Sequence, residues 1–316
     1  MTETNGIVTL TLNPAIDQSA AIPHFTAGEV NRVEWERSDP GGKGVNVASF
    51  LSDLGHRVAV TGFLGRENSA VFERLFEEKG MTDRFLRVPG KTRVNVKIID
   101  EAQHRITDIN FPGQTVGPAE LVSLRTAVME LVPDHHWFVL SGSLPAGVPV
   151  GFYAELVDLL KAAGKRVVLD TSGEPMRAAI GSAPYAIKPN VAELEEVLGT
   201  SLPDRGAVVA AARALVKGGI EYVVISMGKD GALFVDGREC LLALPPAVEV
   251  KSTVGAGDAM VAGFVAARIR GGSLADCARL ATATAVGALT QLGPRLPSPQ
   301  TVASIMQQVT VQAVAA

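Results

Sequence analysis

The chain has 316 residues, 47% hydrophobic and 20% charged, which is enough to bury a sizeable core in one large or two small domains. A formal net charge of −4 argues against a mainly electrostatic nucleic-acid binder, while local charge can still capture a small anion. Cys240 and Cys277 lie too far apart in sequence for a CxxC zinc site. No basic n-region opens the chain, and no apolar run approaches the roughly 18 residues of a membrane span, so a soluble cytoplasmic protein is expected, with neither nucleic acid nor membrane as partner.

Short apolar runs rich in β-branched residues recur along the chain: IVTLTL (7–12), RVAVTG (57–62), WFVLSG (137–142), RVVLD (166–170), YAIK (185–188) and YVVIS (222–226). Between them lie helix-length amphipathic stretches that stop on glycine, at 46–55, 67–80, 151–164 and 206–219. Continuous apolar strands alternating with helices predict an α/β fold with a mainly parallel sheet covered on both faces. Neither repeats nor a low-complexity linker divides the chain, so residues 1–316 are expected to form a single domain. Segments 17–37 and 91–111 break the alternation, with polar and apolar residues in turn. TRVNVKII and RITDINF, joined by DEAQH, predict a hairpin. Together the two segments predict a small antiparallel β lid at the edge of the main sheet, the alternative being an ordinary edge sheet that does not move.

Ligands of a parallel α/β sheet bind beyond the carboxyl ends of its strands, and the unusual turns of this chain fall there. LNPAID brings Asp17 just past the first strand, as a turn aspartate or as an acceptor for two sugar hydroxyls. GGKGVN has glycines at 41, 42 and 44 at a helix start, where backbone N–H groups and the dipole suit phosphate or sugar oxygens. Lys43 adds a full charge, and Asn46 can point back to hydroxyls. A P-loop is excluded, because GxxxxGK[ST] is absent. Arg93, Asn95 and Lys97 alternate along one lid strand and so share a face, where an arginine fork suits phosphate. SGSLPAG follows the strand ending near 140. In KPNVAELEEVLG, Asn190 and Glu193 share the first helical turn, either as a capping box or as oxygen ligands for Mg²⁺ beside phosphates. SMGKDG (226–231), with Gly228 and Gly231, suits a hairpin or a nucleotide phosphate.

TVGAGDAM is the sharpest of these motifs. It is expected to follow a strand formed by the VEVKS run. Gly255, Ala256 and Gly257 present successive N–H groups at a helix start, an anion hole for charge developing on a transferring phosphoryl group. Asp258 at the same mouth is placed to take a proton from an attacking hydroxyl. Gly263 and the alanines after it let that helix sit close to its neighbours.

With GGKGVN near the front and TVGAGDAM near the back, in that order, the chain resembles the ribokinase-like (PfkB-type) carbohydrate kinases over nearly its whole length. The resemblance implies a ribokinase-like α/β fold with a small β lid, ATP and Mg²⁺ as cofactors, Asp258 as catalytic base and Gly255–Gly257 as anion hole. It places Asn190 and Glu193 near Mg²⁺, and Lys188, Asn190, Ser226, Gly228, Gly231, Gly255 and Gly257 with the nucleotide. TLTLNPAID, TRVNVKI and SGSLPAGVP resemble the branch that phosphorylates sugar phosphates, which implies Asp17, Gly42, Lys43, Asn46, Arg93 and Ser141 around the sugar phosphate. Arg32 and Arg105 are further candidate anchors. Fructose 1-phosphate is the implied substrate, ahead of tagatose 6-phosphate and then fructose 6-phosphate. Family members often dimerise through their lids, so a homodimer is expected.

Overall fold

A computed structural model describes residues 6–314; residues 1–5 and 315–316, which the single-domain expectation includes, lie outside the described residues. The chain starts with β1 (Gly6–Thr11), then β2 (Ala15–Ala21) and β3 (Trp35–Gly41), which leads straight into α1 (Lys43–Asp53) and β4 (Val58–Gly65). Next come α2 (Ala70–Glu78), β5 (Thr82–Val88) and a hairpin of β6 (Arg93–Asp100) and β7 (Arg105–Ile109). Alternation resumes with α3 (Pro118–Leu131), β8 (His135–Ser141), α4 (Phe152–Ala162), β9 (Arg166–Asp170), α5 (Gly173–Ile180) and β10 (Ala186–Ile187). Then follow α6 (Val191–Leu198), α7 (Arg205–Lys217), β11 (Tyr222–Ser226), β12 (Ala232–Val235) and β13 (Cys240–Leu244). Helices α8 (Ala256–Ile269), α9 (Leu274–Leu289) and α10 (Pro299–Gln308) and strand β14 (Thr310–Ala313) complete it.

Ten strands form the main sheet in the order β14-β13-β12-β11-β10-β9-β8-β1-β4-β5, parallel from β11 to β5 and antiparallel beyond. Alternate residues of each central strand enter opposite cores. Ile7, Trp137 and Val139 join the cluster under α1, α8 and α9, and Val8, Phe138 and Leu140 join the one under α3, α4 and α7. That is why these strands read as unbroken apolar runs. Helix α8 is buried almost throughout, and its small residues permit this. A Cβ on Gly263 would lie 2.3 Å from Thr284 Oγ1 and 2.7 Å from Ala281 Cα, so α9 packs directly on the glycine.

The lid is a second sheet of four strands in the order β3-β2-β6-β7. Its outer pairs, β2/β3 and β6/β7, are antiparallel as expected; the β2/β6 pair that joins them is parallel. The joining pair runs parallel because β2 and β6 each leave the same edge of the main sheet, after β1 and β5. In-register rows put Asp39, Asp17 and Asn95 on one face, with Arg37, Ser19, Lys97 and Asp108 on the next row of that face. The VEVKS run is not the expected strand: residues 245–255 cross from β13 to α8 as loop, with the Lys251 and Ser252 N–H groups donating to Leu289 O. Its charged and polar residues carry no continuous apolar face to bury in the sheet.

Candidate active site

Helices α1 and α8 each begin on a glycine, Gly42 and Gly255, without a side-chain cap, so their first-turn N–H groups are left for a ligand. Gly255 holds a left-handed φ of 80°, a turn that lets successive N–H groups converge at the start of α8. Gly44 lets α1 sit directly on β1: a Cβ there would lie 2.3 Å from Thr11 Oγ1.

Asp258, in the first turn of α8, is 6% exposed, and its Oδ2 accepts a hydrogen bond from Asn46 Nδ2 at 2.8 Å. Burial, then the nearby Asp170 charge, push its carboxyl up to about 7, against the pull of Asn46, Lys43 and Lys188. Such a carboxylate ionises near neutrality and accepts a proton readily, the property a general base needs. Asn46, expected at sugar hydroxyls, thus has one amide donor on Asp258.

Asp170, the last residue of β9, is fully buried. Its Oδ1 meets Lys43 Nζ at 3.2 Å and Lys188 Nζ at 3.4 Å, while its Oδ2 is buried without a partner among the described residues. Burial disfavours the Lys43 charge, but Asp170, Asp258 and Glu193 outweigh it and raise the ammonium above its usual range. A Cβ on Gly257 would lie 3.3 Å from Lys188 Nζ, so that ammonium stands over the start of α8. The sequence reading missed Asp170. Its sequence signal is a charged residue closing an apolar parallel strand, VVLD.

Asn190 and Glu193 form the capping box of α6: Glu193 N–H donates to Asn190 Oδ1 and Asn190 N–H donates to Glu193 Oε2, both at 2.8 Å. The outer Glu193 Oε1 lies 3.9 Å from Lys43 Nζ. Asn190 also bridges to Ser226, and with Gly228, Asp230 and Asp204 these residues line a cleft of about 510 Å³. Gly231 turns the chain back beside it, its carbonyl accepting from the Met227 N–H at 2.8 Å.

On the lid side, Asn95 Nδ2 donates to Asp17 Oδ1 at 3.1 Å. Burial raises the Asp17 carboxyl above its ordinary value, opposed by Asn95, Lys97 and Arg93 and reinforced by Asp39. Arg93 donates to the Pro14, Phe111 and Asn13 carbonyls at 3.3, 3.0 and 3.1 Å, tying together the chain segments at the lid's root. Ser141 is fully buried, its Oγ without a protein partner, and Tyr153 and Thr171 hydroxyls hold the turn after it through Gly142 O. Arg32 and Arg105 are exposed on the outer lid. The structure therefore gathers Asp258, Gly255–Gly257, Asn46, Lys43, Lys188 and Glu193 around one carboxylate. Asp17 lies against Gly41 just before α1, and Arg93 ties the chain at the lid's root.

A buried carboxylate raised to about 7 at the uncapped start of a helix is compatible with phosphoryl transfer to a hydroxyl. The pfkB family carbohydrate kinase model matches residues 6–301. The chain belongs to the pfkB family of carbohydrate kinases and is a phosphotransferase with an alcohol group as acceptor. It is 50% identical over 307 residues to a 1-phosphofructokinase of Rhodobacter capsulatus, covering 97% of each chain. It is 46% identical over 312 residues to a 1-phosphofructokinase of Xanthomonas campestris, covering 97% of this chain and 98% of the relative. Among solved structures, phosphofructokinase-2 from Escherichia coli in complex with potassium superposes with a TM-score of 0.90 at 30% identity, over 96% of this chain and 98% of that one. No helix among the described residues is long and apolar enough to cross a membrane.

Proposed function

We propose that the chain is a 1-phosphofructokinase, which transfers the γ-phosphoryl group of ATP to the C6 hydroxyl of fructose 1-phosphate. The observation that carries this reading is the buried Asp258 at the start of α8, held by Asn46 and raised to about 7. The names of the relatives support the choice of sugar, because the match spans nearly the whole of each chain.

Asp258 takes the proton from the C6 hydroxyl as the oxygen bonds to the γ-phosphorus, and the bond from that phosphorus to the β–γ bridging oxygen breaks to release ADP. The N–H groups of Gly255, Ala256 and Gly257 receive the negative charge on the equatorial oxygens. The cleft beside Asn190, Ser226 and Gly228 takes the nucleotide. Asp17 and Asn95 receive sugar hydroxyls, and Arg93 supplies the anchor for the sugar phosphate, with Gly42 and Ser141 behind it. Lid closure over the sugar excludes water, which otherwise competes as acceptor.

Asn190 and Glu193 fit a Mg²⁺ ion. Both offer hard oxygen donors, and among the described residues no group of three His, Cys, Asp or Glu side chains gathers into a separate metal cage. That donor set matches an ion held by one or two side chains together with substrate phosphates. When bound, Mg²⁺ neutralises charge on the β- and γ-phosphates.

The lid face that carries Asp17 ends in a row of Trp35, Ala21, Ile99 and Ile106, of which Trp35 is 42% and Ile106 61% exposed. That apolar row supports a homodimer in which two lids cover each other, and the whole chain acts as one cytoplasmic kinase unit.

The test is ADP release with Mg-ATP and, separately, fructose 1-phosphate, tagatose 6-phosphate, fructose 6-phosphate and fructose. The expected result is a kcat/KM clearly highest for fructose 1-phosphate. A preference for a 6-phosphate would overturn the substrate assignment, and no turnover with any sugar would favour a non-catalytic sugar-phosphate sensor.

A further inference from the structure

Two ammonium groups from different elements converge on one carboxylate oxygen. Lys43 opens α1 and Lys188 follows β10, and Asp170 Oδ1 receives them at 3.2 and 3.4 Å. An ammonium carries three N–H donors; both reach Asp170 Oδ1, and Lys43 also lies 3.9 Å from Glu193 Oε1, so donors on each remain for a ligand. Lys188 Nζ also sits 3.3 Å from the Cβ position of Gly257, at the mouth of α8. The result is a corner between the start of α8 and the capping box of α6 in which two ammonium groups stand among the carboxylates of Asp170, Asp258 and Glu193. The Lys43 ammonium lies at the end of β9, whereas the Arg93 guanidinium holds the carbonyls of Asn13 and Pro14 beyond β1. Those strands are two steps apart in the sheet, roughly 10 Å at the usual strand spacing.

We propose that Lys43 and Lys188 clamp the transferring γ-phosphoryl group, that Asp170 positions both lysines, and that Lys43 is not an anchor for the sugar's own phosphate. This rests on the kinase reading above. In the transfer, two equatorial oxygens of the γ-phosphoryl group lie on the ammonium groups and the third on the α8 N–H donors. The proton goes to Asp258 and the leaving electron pair to ADP.

The test uses the full chain with Lys43→Met, Lys188→Met and Asp170→Asn, each checked for folding by circular dichroism. Calorimetry without sugar compares ADP with the β,γ-imido analogue of ATP. The clamp predicts that Lys43→Met weakens the analogue about tenfold or more and leaves ADP within about twofold. In turnover, kcat falls roughly 10²-fold while KM for the sugar phosphate moves less than about threefold. Asp170→Asn shows the same selective loss of the analogue; should it fail to fold, Lys188→Met carries that arm. Equal losses for ADP and analogue, or a raised sugar KM with unchanged kcat and analogue affinity, would overturn the proposal. If the wild-type chain turned over none of the sugars, the kinase reading would fail, while the calorimetric comparison would still decide the clamp.

Discussion

Replacing Asn46 with alanine removes the 2.8 Å hydrogen bond that Asp258 Oδ2 accepts, without touching the carboxylate. That bond stabilises the ionised base, and a hydrogen bond to a charged group contributes about 1.5–3 kcal/mol. At 1.36 kcal/mol per unit, its loss raises the carboxyl by about 1–2 units, from about 7 to about 8–9. Activity needs the ionised form, so kcat/KM climbs as pH rises through the carboxyl's value in the free enzyme. The wild-type profile should climb near pH 7 and that of Asn46→Ala one to two units higher, with roughly tenfold less activity at pH 7 and a narrowing gap toward pH 9.5. The assay is ADP release from pH 5.5 to 9.5 at several sugar concentrations. The position of the limb decides the matter, since any loss of a sugar contact lowers the plateau without moving it. A limb that stayed in place or moved to lower pH would refute the reasoning.

Asp258→Asn should be more stable than wild type at neutral and higher pH. The folded-state value of Asp258 is raised from 3.8 to about 7, so the favourable contribution of its protonated form is complete below about pH 4 and is lost as pH rises through about 7. The ionised carboxylate therefore costs up to about 4 kcal/mol at pH 8 and about 1–2 kcal/mol at pH 5, and denaturant titration at the two pH values should show the gap shrink with acidification. Gly263→Ala drives a methyl into Thr284 and Ala281 and should cost about 1–3 kcal/mol, read as a melting temperature several degrees lower. Trp35→Asp with Ile106→Asp puts charge into the exposed apolar row of the lid. The pair should convert a dimer to monomers in sedimentation; an unchanged mass would place the contact elsewhere.

Much of this site was legible because parallel strands deliver their carboxyl ends to one edge, so local motifs sufficed to gather LNPAID, GGKGVN, KPNVAE and TVGAGD there. Asp258 and the glycines before it were readable as a helix start because that geometry is local. Asp170 was missed for a related reason: a single aspartate at a strand end has no spacing partner, and its two lysines arrive from residues 43 and 188. Lys43 was legible in position but not in direction, since a four-carbon side chain can reach either the sugar or the β9 carboxylate. The β6/β7 hairpin was legible from alternation and a short turn, whereas the parallel β2/β6 pairing joins segments about eighty residues apart. Alternation alone did not predict that Ile106 and Ile109 of β7 are both exposed, one on each face of the lid.

The central claim is that Asp258 moves the proton in phosphoryl transfer, and the most direct measurement is the single-turnover rate of Asp258→Asn with fructose 1-phosphate, alongside its ATP affinity. The account predicts a rate lower by roughly 10²–10⁴-fold with ATP binding within about twofold of wild type. A rate near that of wild type would contradict it.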